Sequence, residues 1–443
     1  NISDIEKRYF QLIKQQRLIV ISMDAMVSED LEYLKSLDNF RSFFREGSVI
    51  SKMRSIYPTL TYPVHVSIMT GNYPNRHGVI NNEVFEPGKK HLPWNWFGDV
   101  IKSPTIFECA KKAGLKTASV FWPVTGNMKY IDYLIDEYWT QFPGDTPEDA
   151  FRRSGSSEDV IREIVLPNLG MLEERKHPQA DEFVVSCACC IIKKFKPHLL
   201  MIHPAHIDSF RHDTGLFSDK VFEGLRIADK WLGQIIEATR EAGIIDETNF
   251  VVLSDHGQLE IRRFVHPNVL FLRKGWIKTD ENGNLTDWKV YSQSASLSAQ
   301  IYLKNPSDTV LSKEVEEYLR FLCDERVYGF ERVFTREEVS RKEFLDGDFS
   351  FVLETDGYTA FGNSWTSNYV VLCDPDNYRF YHGAHGHLPD KGPQPPFMGI
   401  GPGFKKKVFL EQGQLVDEAP TFAKMLGVSM PDTDGKPMME ILI

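Results

Sequence analysis

The sequence has no long apolar run. Its 443 residues contain no stretch approaching the ~20 apolar residues that a membrane-spanning helix requires, so no membrane span is predicted. Residues 1–8 are polar and do not form a signal peptide, although a processed N-terminus would look the same. Internal repeats, low-complexity tracts and glycine/serine linkers are also absent. The chain is therefore expected to form one large core that carries an inserted subdomain.

Cysteines are few and do not follow a disulfide pattern. Three of the six crowd together as Cys187, Cys189 and Cys190 within an apolar helical pattern, and no second CxxC pair occurs that could complete a four-cysteine site. This arrangement favours buried free thiols, with a soft-metal site as the alternative. Free thiols predict a reducing compartment, and we expect a cytoplasmic location.

The sequence also has no excess of basic residues. Its formal net charge is -11, and no lysine/arginine cluster is dense enough to offset that charge locally. These features argue against a surface that coats nucleic acid. Nothing in the pattern specifies an oligomeric state.

Short apolar, β-branched runs alternate with helical patterns. Strands are predicted at residues 17–23, 116–121, 199–202 and 250–254, and helices at 29–45, 103–113, 157–166, 179–195, 218–242 and 418–426. This order is typical of an α/β fold with a mainly parallel central sheet flanked by helices. Residues 265–368 mix short strands, turns and charged segments, and are predicted to be an inserted α+β lid subdomain. The core would comprise residues 1–264 and 369–443.

Candidate metal ligands stand near the ends of the predicted strands. Asp24 and Asp255 each follow a strand directly, and Asp208 lies just beyond a third. Because ligands bind at the carboxyl ends of strands in open α/β sheets, these carboxylates are expected to converge. Together with a hydroxyl and three imidazoles they would supply the donors of a two-metal site. The additional donors are Thr61, His212, His256 and His385.

Thr61 is predicted to stand at the start of a helix. The pattern becomes helical from Tyr62, and Pro63 occupies an early position where a missing N–H costs nothing. Free N–H groups and the positive end of the helix dipole would attract a phosphate there. The alternative is that Thr61 is only an N-cap, a position for which threonine is well suited.

The other donors also have ordinary structural explanations. Asp208 and His212 have i,i+4 spacing, so they share one face of a helix and form either a chelating pair or a surface pair. Gly257 would allow the turn that brings Asp255 and His256 toward one ion. Four other histidines lie beside these residues and are interpreted as supporting or surface groups: His203, His206, His382 and His387.

Several motifs together resemble one enzyme family. Residues 57–78, YPTLTYPVHVSIMTGNYPNRHG, look like the nucleophile region of the nucleotide pyrophosphatase/phosphodiesterase family of the alkaline phosphatase superfamily. Asn82 falls where that family has an asparagine that holds a phosphate oxygen, and Phe121-Trp122-Pro123 matches a strand-ending motif. The segments 208–212, 254–257 and 383–386 match the later metal-binding segments in the same order.

The resemblance implies an alkaline-phosphatase-like core and a phosphodiesterase with two divalent ions, zinc by donor type, or else manganese or iron. Thr61 would be the nucleophile that forms a phosphothreonine intermediate, and Asn82 and Trp122 would contact the substrate. A small-molecule diester or nucleotide would be the substrate, since metal ions would meet its phosphate. Two ligand sets are implied: Asp208, His212 and His385 for one ion, and Asp24, Thr61, Asp255 and His256 for the other.

This chain departs from the family pattern at Ala25, His203, Ile207 and Gln258, where glycine, tyrosine, proline and methionine are usual. No ligand is lost by these departures. A sulfatase is a weak alternative, because Thr61 cannot become formylglycine and His65 occupies the position of the arginine that a sulfatase requires. A phosphomonoesterase or phosphonate hydrolase with the same ligands remains an alternative, and a metal-binding scaffold without turnover is a further one. The neutral Asn82 favours diesters over monoesters.

Overall fold

The computed structural model describes residues 15–376 and 381–443, so the polar segment 1–8 lies outside the described residues. An eight-stranded sheet forms the centre of the molecule, and only Phe397–Ile400 runs against the other strands. This confirms the predicted mainly parallel sheet. Across the sheet the strands are Val408–Gln414, Ser48–Arg54, Phe397–Ile400, Thr248–Leu253, Arg17–Ser22, Leu199–Ile202, Thr117–Val120 and Tyr133–Ile135.

The central strands are apolar throughout because both of their faces are covered. Along Arg17–Ser22, Ile19 and Ile21 pack into the core on one face, while Leu18 and Val20 pack into the core on the other. Side chains that alternate between two buried faces need a continuous apolar run rather than an alternating one.

Helices cover both faces of this sheet. The predicted helices over 179–195 and 418–426 form with those bounds, and the long helix predicted at 218–242 is Asp219–Glu241. The helix predicted at 157–166 contains a π-helical segment, Ile161–Val165, in which the Leu166 N–H bonds to the carbonyl of Ile161, five residues earlier. Further α-helices around the central sheet are Thr61–Thr70, Pro74–His77, Ile106–Lys112, Pro147–Arg153, Glu158–Val160, Leu166–Asn168 and His206–Thr214. Short 3-10 turns are Ser28–Asp30, Gly98–Val100, Leu169–Met171, Ile245–Glu247 and Leu415–Asp417.

The single helix predicted over residues 29–45 is wrong. Two short helices form instead, Leu31–Leu34 and Arg41–Glu46. The Asp229 carboxylate accepts hydrogen bonds from the backbone N–H groups of Asn39 and Phe40, at 3.0 and 2.9 Å. A distant carboxylate therefore starts a new helix where the local pattern favours continuation.

A second, antiparallel sheet has its own apolar core. Its strands, in spatial order, are Val290–Ser294, Ser298–Leu303, Phe351–Thr355 and Phe330–Thr335. The helices of this region are Pro267–Arg273, Thr309–Asp324 and Arg336–Glu343, and a hairpin joins Ile277–Thr279 to Leu285–Trp288. The boundaries of the inserted subdomain stay a prediction.

The core was predicted to resume at residue 369, but the strand that forms there, Val370–Leu372, lies outside the central sheet. It pairs with Arg263–Val265, which also pairs with Thr359–Phe361. A two-stranded ladder joins Leu259–Glu260 to Gly383–Ala384. Among the described residues, no helix combines the length and apolar character needed to cross a membrane. All six cysteines are free thiols, and the cytoplasmic location stays a prediction.

Candidate active site

Thr61 is the first residue of the helix Thr61–Thr70. Leu60 occupies the N-cap position with extended backbone angles, so the alternative of Thr61 as the N-cap is wrong. The Thr61 hydroxyl instead lies 3.2 Å from Nε2 of His256. The helix is buried on nearly every side and begins at the carboxyl edge of the sheet, which holds this hydroxyl in one position.

Asn82 is held beside the start of the same helix. The backbone N–H of Tyr62 donates a 2.9 Å hydrogen bond to Oδ1 of Asn82. Because that contact requires the oxygen, the Nδ2 amide of Asn82 keeps its donors for another partner. Asn82 and Thr61 line the same cavity.

The structure brings the predicted carboxylates together. Ser22 pairs with Leu253 across adjacent strands, so Asp24 and Asp255 leave the sheet at the same level. Asp24, Asp255 and His256 each place a ligand atom within 4.8 Å of the others. Nε2 of His256 lies 3.4 Å from Oδ1 of Asp24 and 3.1 Å from Oδ2 of Asp255. These residues and Thr61 form the first predicted ligand set.

The second predicted set gathers around Asp208 on the helix His206–Thr214. Nε2 of His212 lies 3.2 Å from Oδ2 of Asp208, and Nε2 of His385 lies 3.6 Å from Oδ1. The i,i+4 pair, a buried His212 and a half-buried Asp208, thus faces the site and not the surface. The rings of His256 and His385 stack with centroids 3.7 Å apart, so the two sets adjoin.

Backbone carbonyls orient the three imidazoles. Nδ1 of His212 donates to the carbonyl of Gly383 at 2.5 Å, and Nδ1 of His385 donates to that of Thr59 at 2.8 Å. Nδ1 of His256 lies 3.1 Å from the carbonyl of Gly257. A donor bond at Nδ1 leaves Nε2 unprotonated, and each Nε2 faces the carboxylates.

The electrostatics of the site fit bound cations. Oδ1 of Asp24 and Oδ2 of Asp255 are buried and have no hydrogen-bond partner within the described parts of the chain. Burial raises the pKa of Asp24 well above its ordinary value, and the Asp255 and Asp208 carboxylates raise it further. Burial also raises the pKa of Asp255, although His65 opposes that effect. Buried, unpartnered carboxylate oxygens are costly unless a cation compensates them.

His256, His385 and Asp208 are in the protonation states that metal ligands require. Burial lowers the pKa of His256 to about 4 and that of His385 to about 3, which keeps both imidazoles neutral near pH 7. Burial opposes ionisation of Asp208, but the imidazoles of His212 and His385 hold its pKa well below the usual value. Neutral imidazoles and an ionised carboxylate bind divalent metals without first losing protons.

Sequence reasoning did not identify His65 as a buried neighbour of the predicted ligands. It lies one helical turn after Thr61, with Nδ1 2.7 Å from the Thr61 carbonyl and Nε2 2.8 Å from the Ser22 hydroxyl. His65, His203 and Asp255 form a third cluster of possible ligand atoms. The i,i+4 spacing from Thr61 was the signal that could have identified it.

His203 was interpreted as a supporting group, and its contacts agree. Its Nε2 lies 3.0 Å from Oδ2 of Asp24. His206 and His387 are also buried, where they contact the carbonyl of Gly224 and the Thr59 hydroxyl. His382 is half-buried.

A cavity of about 300 Å³ opens above Thr61. Its walls include an aromatic pair, Tyr62 and Trp94, with ring centroids 5.1 Å apart, and two acidic side chains, Glu83 and Glu137. Trp122, predicted as a substrate contact, is fully buried behind His65 and does not line this cavity. The short motif around Trp122 resembles the family, but its side chain has the environment of a core residue.

No lysine or arginine lines the cavity within the described residues. Arg54, the nearest cation that precedes Thr61 in sequence, pairs with Glu343 and Asp390. Arg76 pairs with Asp432 and Asp434. Both arginines are therefore paired with carboxylates and do not line the cavity.

Known proteins match this chain in both sequence and fold. The human ectonucleotide pyrophosphatase/phosphodiesterase family member 1 is 27% identical over 233 residues, and venom phosphodiesterase 2 of Crotalus adamanteus is 26% identical over 255 residues. These alignments cover 50% and 56% of this chain, but only 21% and 27% of those proteins. The chain thus matches about a quarter of the length of these relatives.

The solved structure of murine ectonucleotide pyrophosphatase/phosphodiesterase 5 superposes with a TM-score of 0.67 at 17% identity, covering 97% of this chain and all of that one. An inactive threonine-to-alanine variant of that murine protein, in complex with AMP, gives the same values. This likeness confirms the expected alkaline-phosphatase-like fold. The family model of type I phosphodiesterase/nucleotide pyrophosphatase matches residues 18–387. With most of its length covered by that match, the chain belongs to the type I phosphodiesterase/nucleotide pyrophosphatase family.

Proposed function

We propose that this chain hydrolyses phosphodiester or phosphoanhydride bonds, with Thr61 as the nucleophile. The observation that carries this proposal is the position of the Thr61 hydroxyl. It stands at a helix start, 3.2 Å from Nε2 of His256 and beside the buried carboxylates of Asp24 and Asp255. Membership of the family supports the same activity.

Two divalent ions would complete the site. Asp24, Thr61, Asp255 and His256 would hold one of them, with the unpartnered oxygens of Asp24 and Asp255 as donors. Asp208, His212 and His385 would hold the other ion. Three imidazoles among the ligands favour zinc, with manganese or iron as alternatives. When bound, such ions lower the pKa of a hydroxyl and offset charge on phosphate oxygens.

The chain's own residues then perform the displacement. Attack of the Thr61 oxygen on phosphorus forms a phosphothreonine ester, breaks the bond to the leaving oxygen and releases the leaving group. Water hydrolyses the ester and restores the free hydroxyl. Asn82, whose Oδ1 is held by the Tyr62 N–H, would donate its Nδ2 hydrogens to a phosphate oxygen.

Nucleotides are the proposed substrate class. Trp94 stands half-buried at the wall of the cavity and packs edge to face against the buried Tyr62, so a base could contact the Trp94 ring. The AMP bound to the variant of the murine relative supports this proposal.

Diesters are proposed over monoesters. A monoester carries an additional negative charge, and the cavity walls offer no lysine or arginine in the described structure to meet it. A loss of about 3 kcal/mol in transition-state stabilisation would lower kcat/KM roughly a hundredfold.

The test compares a nitrophenyl nucleotide diester with nitrophenyl phosphate at one pH and one metal loading. We expect the diester to have the higher kcat/KM, and Asn82→Ala to lower diester turnover. Equal values, or an advantage for the monoester, would favour the phosphomonoesterase alternative, and phosphonoacetate turnover would favour a phosphonate hydrolase. An absence of turnover with all three would leave the metal-binding scaffold.

A further inference from the structure

Gln258 follows Asp255, His256 and Gly257 directly, and its side chain is almost completely buried, with 1% exposed. Its Nε2 lies 2.5 Å from Oδ1 of Asp208 and 3.0 Å from the Asp208 backbone carbonyl. The residue therefore connects the loop that supplies one predicted ligand set to the helix that supplies the other.

The orientation of the Gln258 amide is determined by its partners. Both Asp208 atoms that it contacts are acceptors, so only the NH₂ group can face them. The other end of the amide, Oε1, is buried and has no hydrogen-bond partner in the described chain. A Cβ added at Gly383 would lie 2.3 Å from that oxygen, so the backbone packs against it with no room for a side chain.

Stability alone would not favour glutamine here. A buried oxygen without a partner carries a desolvation cost, and an apolar side chain of similar shape would avoid it. Methionine is such a side chain, and it is usual at this position in the family that the sequence resembles. Compared with methionine, glutamine adds the hydrogen bonds to Oδ1 and to the backbone carbonyl of Asp208, and the bond to Oδ1 points to a role in orienting that carboxylate.

We propose that Gln258 is a positioning residue for Asp208 and strengthens metal binding at the Asp208, His212 and His385 set. This inference rests on the proposed two-metal function. The Gln258 amide bonds to Oδ1 of Asp208 and not to Oδ2. Oδ2 of Asp208 lies 3.2 Å from Nε2 of His212. Fixing the carboxylate before the ion arrives removes an entropic cost of binding. Partners of this kind typically contribute about 10- to 100-fold in metal affinity.

The test is zinc titration of metal-free protein against a chromophoric chelator, together with thermal unfolding of the metal-free form. Gln258→Met removes the donor and keeps the shape, while Gln258→Glu keeps a polar side chain but places a carboxylate against the Asp208 oxygens. Gln300→Met is the matched control. Gln300 is equally buried, and its amide donates to the Ile80 carbonyl at 2.8 Å, away from the predicted ligands.

We expect both Gln258 variants to weaken one of two zinc sites by about 10- to 100-fold and to leave the other within about threefold. The control should retain both affinities. Unchanged zinc binding in the Gln258 variants would overturn the inference, as would equal weakening of both sites with a lowered melting temperature of the metal-free protein. If the unsubstituted protein binds no zinc, the proposed function itself fails.

Discussion

Arg211 offers a direct test of how a buried ion pair stabilises the helix that carries Asp208 and His212. It lies on the helix His206–Thr214 between two predicted ligands, and only 1% of its side chain is exposed. Nε donates to the Ala25 carbonyl at 2.9 Å, beside Asp24. The remaining nitrogens bond to the Leu216 carbonyl and to the equally buried Asp30 carboxylate. Arg211→Met would keep most of the apolar volume and remove every one of these bonds.

The expected loss follows from the burial of the ion pair. Removing one partner leaves a buried, uncompensated charge on Asp30, which typically costs about 3–5 kcal/mol. Unfolding entropy of about 2.1 cal/mol/K per residue gives roughly 0.9 kcal/mol/K for 443 residues. We therefore expect Arg211→Met to lower the melting temperature by about 3–5 °C.

Calorimetry of metal-free protein is the appropriate assay, because bound metal would add its own stabilisation. Arg226→Met is the control, since Arg226 is exposed on a neighbouring helix and bonds only to the Tyr33 hydroxyl among its described contacts. Its melting temperature should change by less than about 1 °C. The double variant Arg211→Met/Asp30→Asn should recover part of the loss by removing the unpaired charge. A melting temperature for Arg211→Met equal to that of the control would refute the reasoning.

Three further predictions concern single side chains. Thr61→Ala should retain the fold and bound metal but lose turnover by several orders of magnitude in kcat, and near-normal turnover would assign the nucleophile to water. Asp255→Asn should weaken one metal site, and unchanged metal content by elemental analysis would contradict the ligand assignment. Burial raises the pKa of Glu354 to about 7 from 4.5, despite the opposing charge of Lys391. The native state then holds this proton more tightly than the unfolded chain does, so its stabilising contribution is present below pH 4.5 and is lost as pH rises through 7. Glu354→Gln should flatten that part of the melting temperature profile between about pH 5 and 8, and an identical slope would assign the pH dependence to other groups.

Local patterns predicted much of the fold. The helices Gln179–Phe195 and Glu418–Leu426 have the predicted bounds, because their apolar spacing and their ends are encoded within a few residues. The central strands were equally readable, since burial on both faces demands apolar runs. The break within residues 29–45 was not, because the Asp229 carboxylate that causes it lies about 190 residues away in sequence.

The same distinction applies to the candidate site. Residue types and spacing indicated the side chains that the structure brings together at the site, since metal chemistry restricts the donors and a strand end or helix turn restricts their positions. Their role as ligands stays a prediction. The sequence pattern was misleading for Trp122, because a short motif does not specify whether a side chain faces a cavity or the core. The roles of His65 and Gln258 also depend on contacts with segments that are distant in sequence.

The sequence by itself determined which residues could do the chemistry: a threonine at a helix start, carboxylates beyond strand ends, and histidines that follow them at short spacing. Only the tertiary structure decided how those residues meet. Strand order places Asp24 beside Asp255, and carbonyls of Thr59 and Gly383 turn the rings of His385 and His212 inward. The physical reason is range. Propensity and periodicity act over a few residues, whereas burial, orientation and the charge of a cavity wall depend on segments that only folding brings together.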